Sequence, residues 1–297
     1  MAIIKPFRGI RYNQERIPDL SCVVSQPHDR VRHGLQDRYY ALSPYNVARL
    51  IKGRQTSGNG RVVDVAARAR QDLDAWLDEG VLRQEDRPAL YVLQQQFPLA
   101  DGSVRRRAAL IAALQLTPFE EGVVLPHERT LAKSMTSRIS LLRATAVNFG
   151  CVFMLYPEGG INELLEPVME AQPPAELQEL FENEVVQRFW TVTDPEVIAA
   201  VTEAMAPRRN LIIADGHHRY ETSLAHRKEM QALHPDAPAD AGFNYRLVAL
   251  VSMDDPGLVI LPTHRLIRKH TGISGEDVRA QAAQFFEVTP VAGVDAL

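Results

Sequence analysis

The stretch that decides the fold is NLIIADGHHRYETSLAHRKE, residues 210–229. Leu211, Ile212, Ile213 and Ala214 form an apolar run of strand length. Asp215-Gly216 then lets the backbone turn sharply, and a helix is predicted from about His217 to about Leu233. A strand, a glycine and a helix start leave the first helical N–H groups unpaired at an end that carries partial positive charge. Such an end is a ready anion site. Arg219 adds a planar fork that matches two phosphate oxygens, and His217 and His218 can donate ring N–H groups beside a polyphosphate. Asp215, Gly216, His217, His218 and Arg219 therefore form a candidate phosphate cradle. Two other readings fit the same residues. Asp215 could be a plain N-cap with Arg219 in a surface salt bridge. Alternatively, His218, Thr222 and His226, or His217 and Glu221, share a helix face at metal-ligand spacing. No HExxH, Walker A loop, complete GxGxxG or GxSxG elbow occurs in the sequence.

Outward from this unit, helical and extended signals alternate, which predicts a mixed α/β fold. Helices are expected at 161–169, 175–181 and 195–205, and strands at 151–156, 185–193, 245–253 and 258–261. Upstream, two β-prone runs flank Asp101-Gly102 between residues 89 and 116 and predict a hairpin. Its second run contains Arg105, Arg106 and Arg107, expected on a solvent-facing or edge strand. Val62, Val65, Ala66, Ala69, Leu73, Trp76 and Leu77 recur at helical spacing within 62–82. A helix is also expected over 131–148, and a short one follows Ser43-Pro44, with Ser43 as its N-cap. Residues 3–12 are apolar and β-prone, while 53–61 and the proline-rich 234–242 are expected to be surface loops. The expected organisation is an N-terminal α/β region, 1–116, followed by a domain over 117–297 that carries the box. The final FFEVTPVAGVDAL forms a strand that nothing closes, so a chain continuing further is expected.

Composition narrows the function classes. At 45% hydrophobic and 24% charged, the 297 residues are those of an ordinary globular chain. Lys plus Arg is 33 against 37 for Asp plus Glu, a formal charge of -4, so nucleic acid is not an expected partner. No apolar run reaches the roughly 18 residues of a membrane span, and the N-terminus lacks a signal-peptide pattern. A cytoplasmic location with no membrane partner is the expectation. Cys22 and Cys151 lie far apart and outside any CxxC, so both are read as reduced thiols.

Three further clusters carry chemistry. In VLPHERT, Pro126 stiffens the approach to His127, Glu128 and Arg129. A carboxylate between a histidine and an arginine is a candidate general base for a hydroxyl, unless the segment is a solvated loop that caps the next helix. In LPTHRL, Thr263, His264 and Arg265 follow an expected strand, at a strand end where α/β folds bind ligands. SQPHDRV places His28 and Asp29 on a turn, with a surface loop as the plainer reading.

Taken in order, KPFRGIRY, SPYNVARL, VLPHERT, SLLRATAVNFG, IIADGHHRYETSLAHR and LPTHRL resemble the bacterial family called Domain of Unknown Function 1015, over essentially the whole chain. The sequence departs from the family pattern at two places: a usual Pro-Pro-Tyr-Asp is here Gln26, Pro27, His28 and Asp29, and an Asp-Arg pair is here Ser137-Arg138. DGHHR is also similar to the phosphate box of the ParB and sulfiredoxin superfamily, in which sulfiredoxins carry Gly-Cys-His-Arg and archaeal free-serine kinases a related Asp-Gly-His box. His217 stands where sulfiredoxin has its cysteine, which excludes sulfinic acid reduction.

This likeness implies a ParB/sulfiredoxin-like nucleotide-binding domain. The expected function is a small-molecule kinase that moves phosphate from ATP or ADP, with Mg²⁺, to a hydroxyl such as that of free L-serine. Glu128, with His127, would act as the base, while Asp215, Gly216, His217, His218 and Arg219 hold the phosphates. Arg129, Thr263, His264 and Arg265 would add substrate or phosphate contacts. The alternatives are a ParB-like nucleotide-binding regulator and a histidine-metal hydrolase.

Overall fold

A computed structural model describes residues 1–55, 64–128, 136–181, 184–260, 272 and 274–292. It contains two compact units, Met1–Leu258 and Val259–Leu297. Among the described residues no helix is long and apolar enough to cross a membrane.

The predicted hairpin lies at the middle of the first unit. Its strands are β4, Leu90–Pro98, and β5, Val104–Gln115, joined through Gly102 at φ 80°. Their side chains alternate between two cores. Leu90, Val92, Leu110, Ala112 and Leu114 face one, and Tyr91, Leu93, Ala109 and Ile111 the other. Around the hairpin are β1 (Ile4–Lys5), β6 (Val124–Leu125), β7 (Val152–Tyr156), β8 (Ala175–Gln178), β9 (Val186–Val192), β10 (Leu211–Asp215) and β11 (Tyr245–Ser252). Together they make a nine-stranded mixed sheet in the order β6-β10-β7-β11-β5-β4-β9-β8, with β1 also on β5. β6 runs parallel to β10 and β7 parallel to β11, while the other neighbours are antiparallel. The sheet takes strands from both sides of residue 116. A separate pair joins β2 (Ile10–Tyr12) to β3 (Leu82–Gln84).

Three helices pack on the first core. α5, Ile161–Ala171, and α6, Pro195–Met205, bury Ile161, Leu165, Val201 and Met205 against the first core. α7, His217–Leu233, adds Tyr220 to that core. α2 (Ala48–Ile51) and α3 (Val65–Asp78) build a third cluster from Leu50, Leu73 and Trp76, which Val147 and Phe149 join just beyond α4 (Thr136–Thr145). Asp64 caps α3 by accepting from the N–H groups of Ala66 and Ala67. The second unit contributes α8, Gly275–Ala282, with a capping box between Ser274 and Asp277.

Several expectations are corrected. Residues 175–178, expected in a helix, form β8 and pair with β9, because sheet pairing beside Pro173-Pro174 outweighs helix propensity. Ser43 does not start a helix. It terminates α1, His33–Leu42, a helix without a side-chain cap that the sequence reading passed over, and α2 begins only at Ala48. Residues 258–260 are not in a strand.

Candidate functional site

The predicted strand, glycine and helix are β10, Gly216 and α7. Gly216 has φ 99° and no side chain caps the helix, so the N-cap is Gly216 and not Asp215. A Cβ there would lie 3.1 Å from Arg219 Cζ and 3.4 Å from Val152 Cα. Glycine is therefore needed for its dihedral angle and to let the guanidinium lie over the turn. Arg219 is not an open fork. One terminal nitrogen donates to the Asp215 carboxylate and the other to the Cys151 carbonyl, so the salt-bridge alternative describes part of what Arg219 does.

VLPHERT reaches the same helix mouth because β6 runs beside β10, with Val124 opposite Leu211. The backbone N–H of His127 donates to His217 Nε2 at 3.2 Å, and His127 Nδ1–H donates to the Ile213 carbonyl at 2.6 Å. The two imidazoles meet edge to face with centroids 4.5 Å apart. Since Nε2 of His217 accepts, its proton sits on Nδ1, which faces Glu128 Oε2 at 3.8 Å. His217 is only 4% exposed, and burial, then His127, lowers its pKa. The Glu128 side chain is 62% exposed and open to a solute. His218 Nε2 and His226 Nδ1 are buried without a hydrogen-bond partner. Among the described residues, no three His, Cys, Asp or Glu side chains are grouped to hold a metal. Arg129, Thr263, His264 and Arg265 lie outside the described residues.

Sequence reasoning missed a half-open cavity of about 630 Å³ lined in part by Arg219. Arg219 is the one member of the 215–219 box that lines it; Glu128 and His217 do not. Gln26 and His28, which depart from the family pattern, line it, as do Asp29 and Arg138, which keep that pattern's residues. Arg107 lines it as well, half-buried and donating to Gln95 Oε1 at 2.6 Å, which corrects the solvent-facing expectation for that residue of the 105–107 run. Arg246, 5% exposed, completes the basic lining. It donates to Asn148 Oδ1 and the Gly150 carbonyl, and burial lowers its pKa to about 10. The available signal was a set of single arginines on separate elements, and only the topology assembles them.

No curated protein and no solved structure matches this chain. A family model described as "Protein of unknown function (DUF1015)" matches residues 4–295, and the chain belongs to that family.

Proposed function

We propose that the chain is a nucleotide-dependent phosphotransferase that places a phosphate at the mouth of α7 and transfers it to a small hydroxyl compound, with free L-serine the first substrate to try. One observation carries the reading: two polar boxes 90 residues apart meet through the bond from His127 N to His217 Nε2. That bond brings the Glu128 carboxylate to the uncapped helix end.

Phosphoryl transfer depends mainly on positioning and charge neutralisation. The unpaired N–H groups after Gly216 bind the phosphate, and His218 flanks it. Arg219 exchanges its Asp215 partner for a phosphate oxygen. Glu128, exposed and 3.8 Å from His217 Nδ1, takes the hydroxyl proton. Mg²⁺ typically needs only one or two protein carboxylates besides the nucleotide phosphates, and Asp215 is placed to supply one. When bound, the ion would neutralise charge on the phosphates. The likeness of DGHHR to the ParB and sulfiredoxin box belongs to this proposal and rests on the box alone.

Calorimetry with ATP and with ADP tests the first half: the intact protein binds one of them, and Arg219→Ala weakens it. No heat from either nucleotide overturns the reading. Mass spectrometry of the serine reaction tests the second half: Glu128→Gln loses phosphoserine formation and keeps nucleotide affinity. Nucleotide binding without transfer to any hydroxyl compound favours the ParB-like regulator instead.

A further inference from the structure

The cavity beside Arg219 carries far more positive than negative charge. Among the described residues, Arg30, Arg107, Arg138, Arg219 and Arg246 line it, against two carboxylates, Asp29 and Glu179. Glu179 is 5% exposed and turned into the wall, where it accepts from Tyr39 Oη at 2.5 Å, Gln26 Nε2 at 3.2 Å and the Phe181 N–H at 3.1 Å.

The excess is concentrated at one end. Arg246 donates to the Gly150 carbonyl and Arg219 to the next one, Cys151, so two guanidinium groups sit on consecutive carbonyls at the entry to β7. Burial lowers the pKa of Arg246 and of Arg138, and the Arg219 charge acts in the same direction on both, opposed by Cys151 at Arg246 and by Asp29 and Asp215 at Arg138. Among the described residues no carboxylate lies within 4.0 Å of Arg246, whose hydrogen-bond partners are an amide oxygen and a carbonyl. Burying a guanidinium without a counter-ion is costly, and a bound anion would offset that cost.

The rest of the lining tells what the anion is attached to. Val47, Ile51, Leu141, Leu142 and Phe149 make apolar walls. On the sheet, Arg107 faces Gln95 while Arg246 faces Leu114. The seven positions from 107 to 114 along β5 put about 20 Å between the two arginines' backbones. Beyond the apolar walls, Arg107, Gln95 and Gln187 therefore form a second, polar end. The volume, about 630 Å³, suits a small metabolite.

We propose that this cavity binds a phosphate monoester with an apolar body, its phosphate at the Arg138, Arg219 and Arg246 end and its body between α2 and α4. A phosphate monoester carries close to two negative charges near neutral pH, which matches clustered arginines better than a carboxylate's single charge. This site goes beyond the helix-mouth reading and does not require phosphoryl transfer.

Calorimetry with phenyl phosphate, benzoate and inorganic phosphate tests it on the full chain. Phenyl phosphate should bind about tenfold tighter than either of the others, since neither supplies both the dianion and the ring. Arg138→Gln should weaken it by about tenfold, and Leu142→Trp, which fills the cavity, should remove it. Circular dichroism checks that both variants are folded, and Arg107→Gln at the far end serves as a third variant. Glu128→Gln, outside the cavity, should leave phenyl phosphate binding unchanged. Absence of phenyl phosphate binding overturns the inference. So does binding that survives Leu142→Trp, which would place the anion outside the cavity and leave the phosphotransfer reading standing.

Discussion

The backbone N–H of His127 donates to the Nε2 atom of His217 at 3.2 Å, and this bond ties the loop after β6 to the first turn of α7. It also fixes the tautomer of His217, whose remaining proton points from Nδ1 toward Glu128. His217 is 4% exposed, so removal of the ring costs packing as well as the bond. His217→Ala should lower unfolding free energy by about 2–3 kcal/mol in urea denaturation. His217→Gln, whose amide can present an acceptor near the Nε2 position, should lose less. In the phosphotransfer reading both variants lose activity, because Glu128 is no longer faced by the Nδ1 proton.

Gly216 combines φ 99° with a Cβ position that would crowd Arg219 Cζ at 3.1 Å. Gly216→Ala should therefore cost about 1–3 kcal/mol in the same denaturation assay, from a strained dihedral and from displacement of the guanidinium. The displacement has a separate readout. ATP or ADP affinity should fall in Gly216→Ala even at temperatures where the variant is fully folded.

The unit around residues 210–229 was legible because its signals are local: an apolar strand, a glycine that needs positive φ and a polar helix start adjoin in the chain. The hairpin at Asp101-Gly102 and the helix at Pro195–Met205 were legible for the same reason. Residues 175–178 were not, because their strand exists only through pairing with Val186–Phe189, and isolated Ala-Glu-Leu-Gln favours a helix. The cavity was hidden more deeply. Arg107, Arg138, Arg219 and Arg246 come from β5, α4, α7 and β11, and apart from Arg219 each alone resembles a solvated surface charge. Ser137-Arg138 drew attention only through a departure from a family pattern, and His28 and Asp29 read more plainly as a surface loop, yet Arg138 and His28 both line the cavity wall.

Arg246 balances two effects of similar size. Replacement by methionine leaves Asn148 Oδ1 and the Gly150 carbonyl without a donor, at a cost of about 1–3 kcal/mol. It also relieves the burial that lowers this arginine's pKa to about 10, a gain of about 3 kcal/mol as an upper bound. Arg246→Met should accordingly change the stability of the ligand-free protein by no more than about 2 kcal/mol. Saturating phenyl phosphate should raise the urea midpoint of the unaltered protein by mass action and barely move that of Arg246→Met. Equal shifts in the two proteins would remove Arg246 from the anion site.

His28 supplies a pH test of the same cavity wall. Burial lowers its pKa from 6.5 to about 4; the positive charges of Lys52, Arg138 and Arg219 act the same way, and Asp29 opposes them. Between those two values the unfolded chain binds a proton that the folded chain refuses, so stability falls as pH is lowered through that window. His217 and His226, also lowered, add losses of the same sign, so the comparison with a His28 variant isolates one ring. His28→Gln should lose less stability than the unaltered protein between pH 6.5 and pH 4. The difference should be about 1 kcal/mol, reduced from the full shift because solvent still reaches part of the ring. Urea midpoints measured across that range check it, and parallel curves for the two proteins would show that His28 titrates normally.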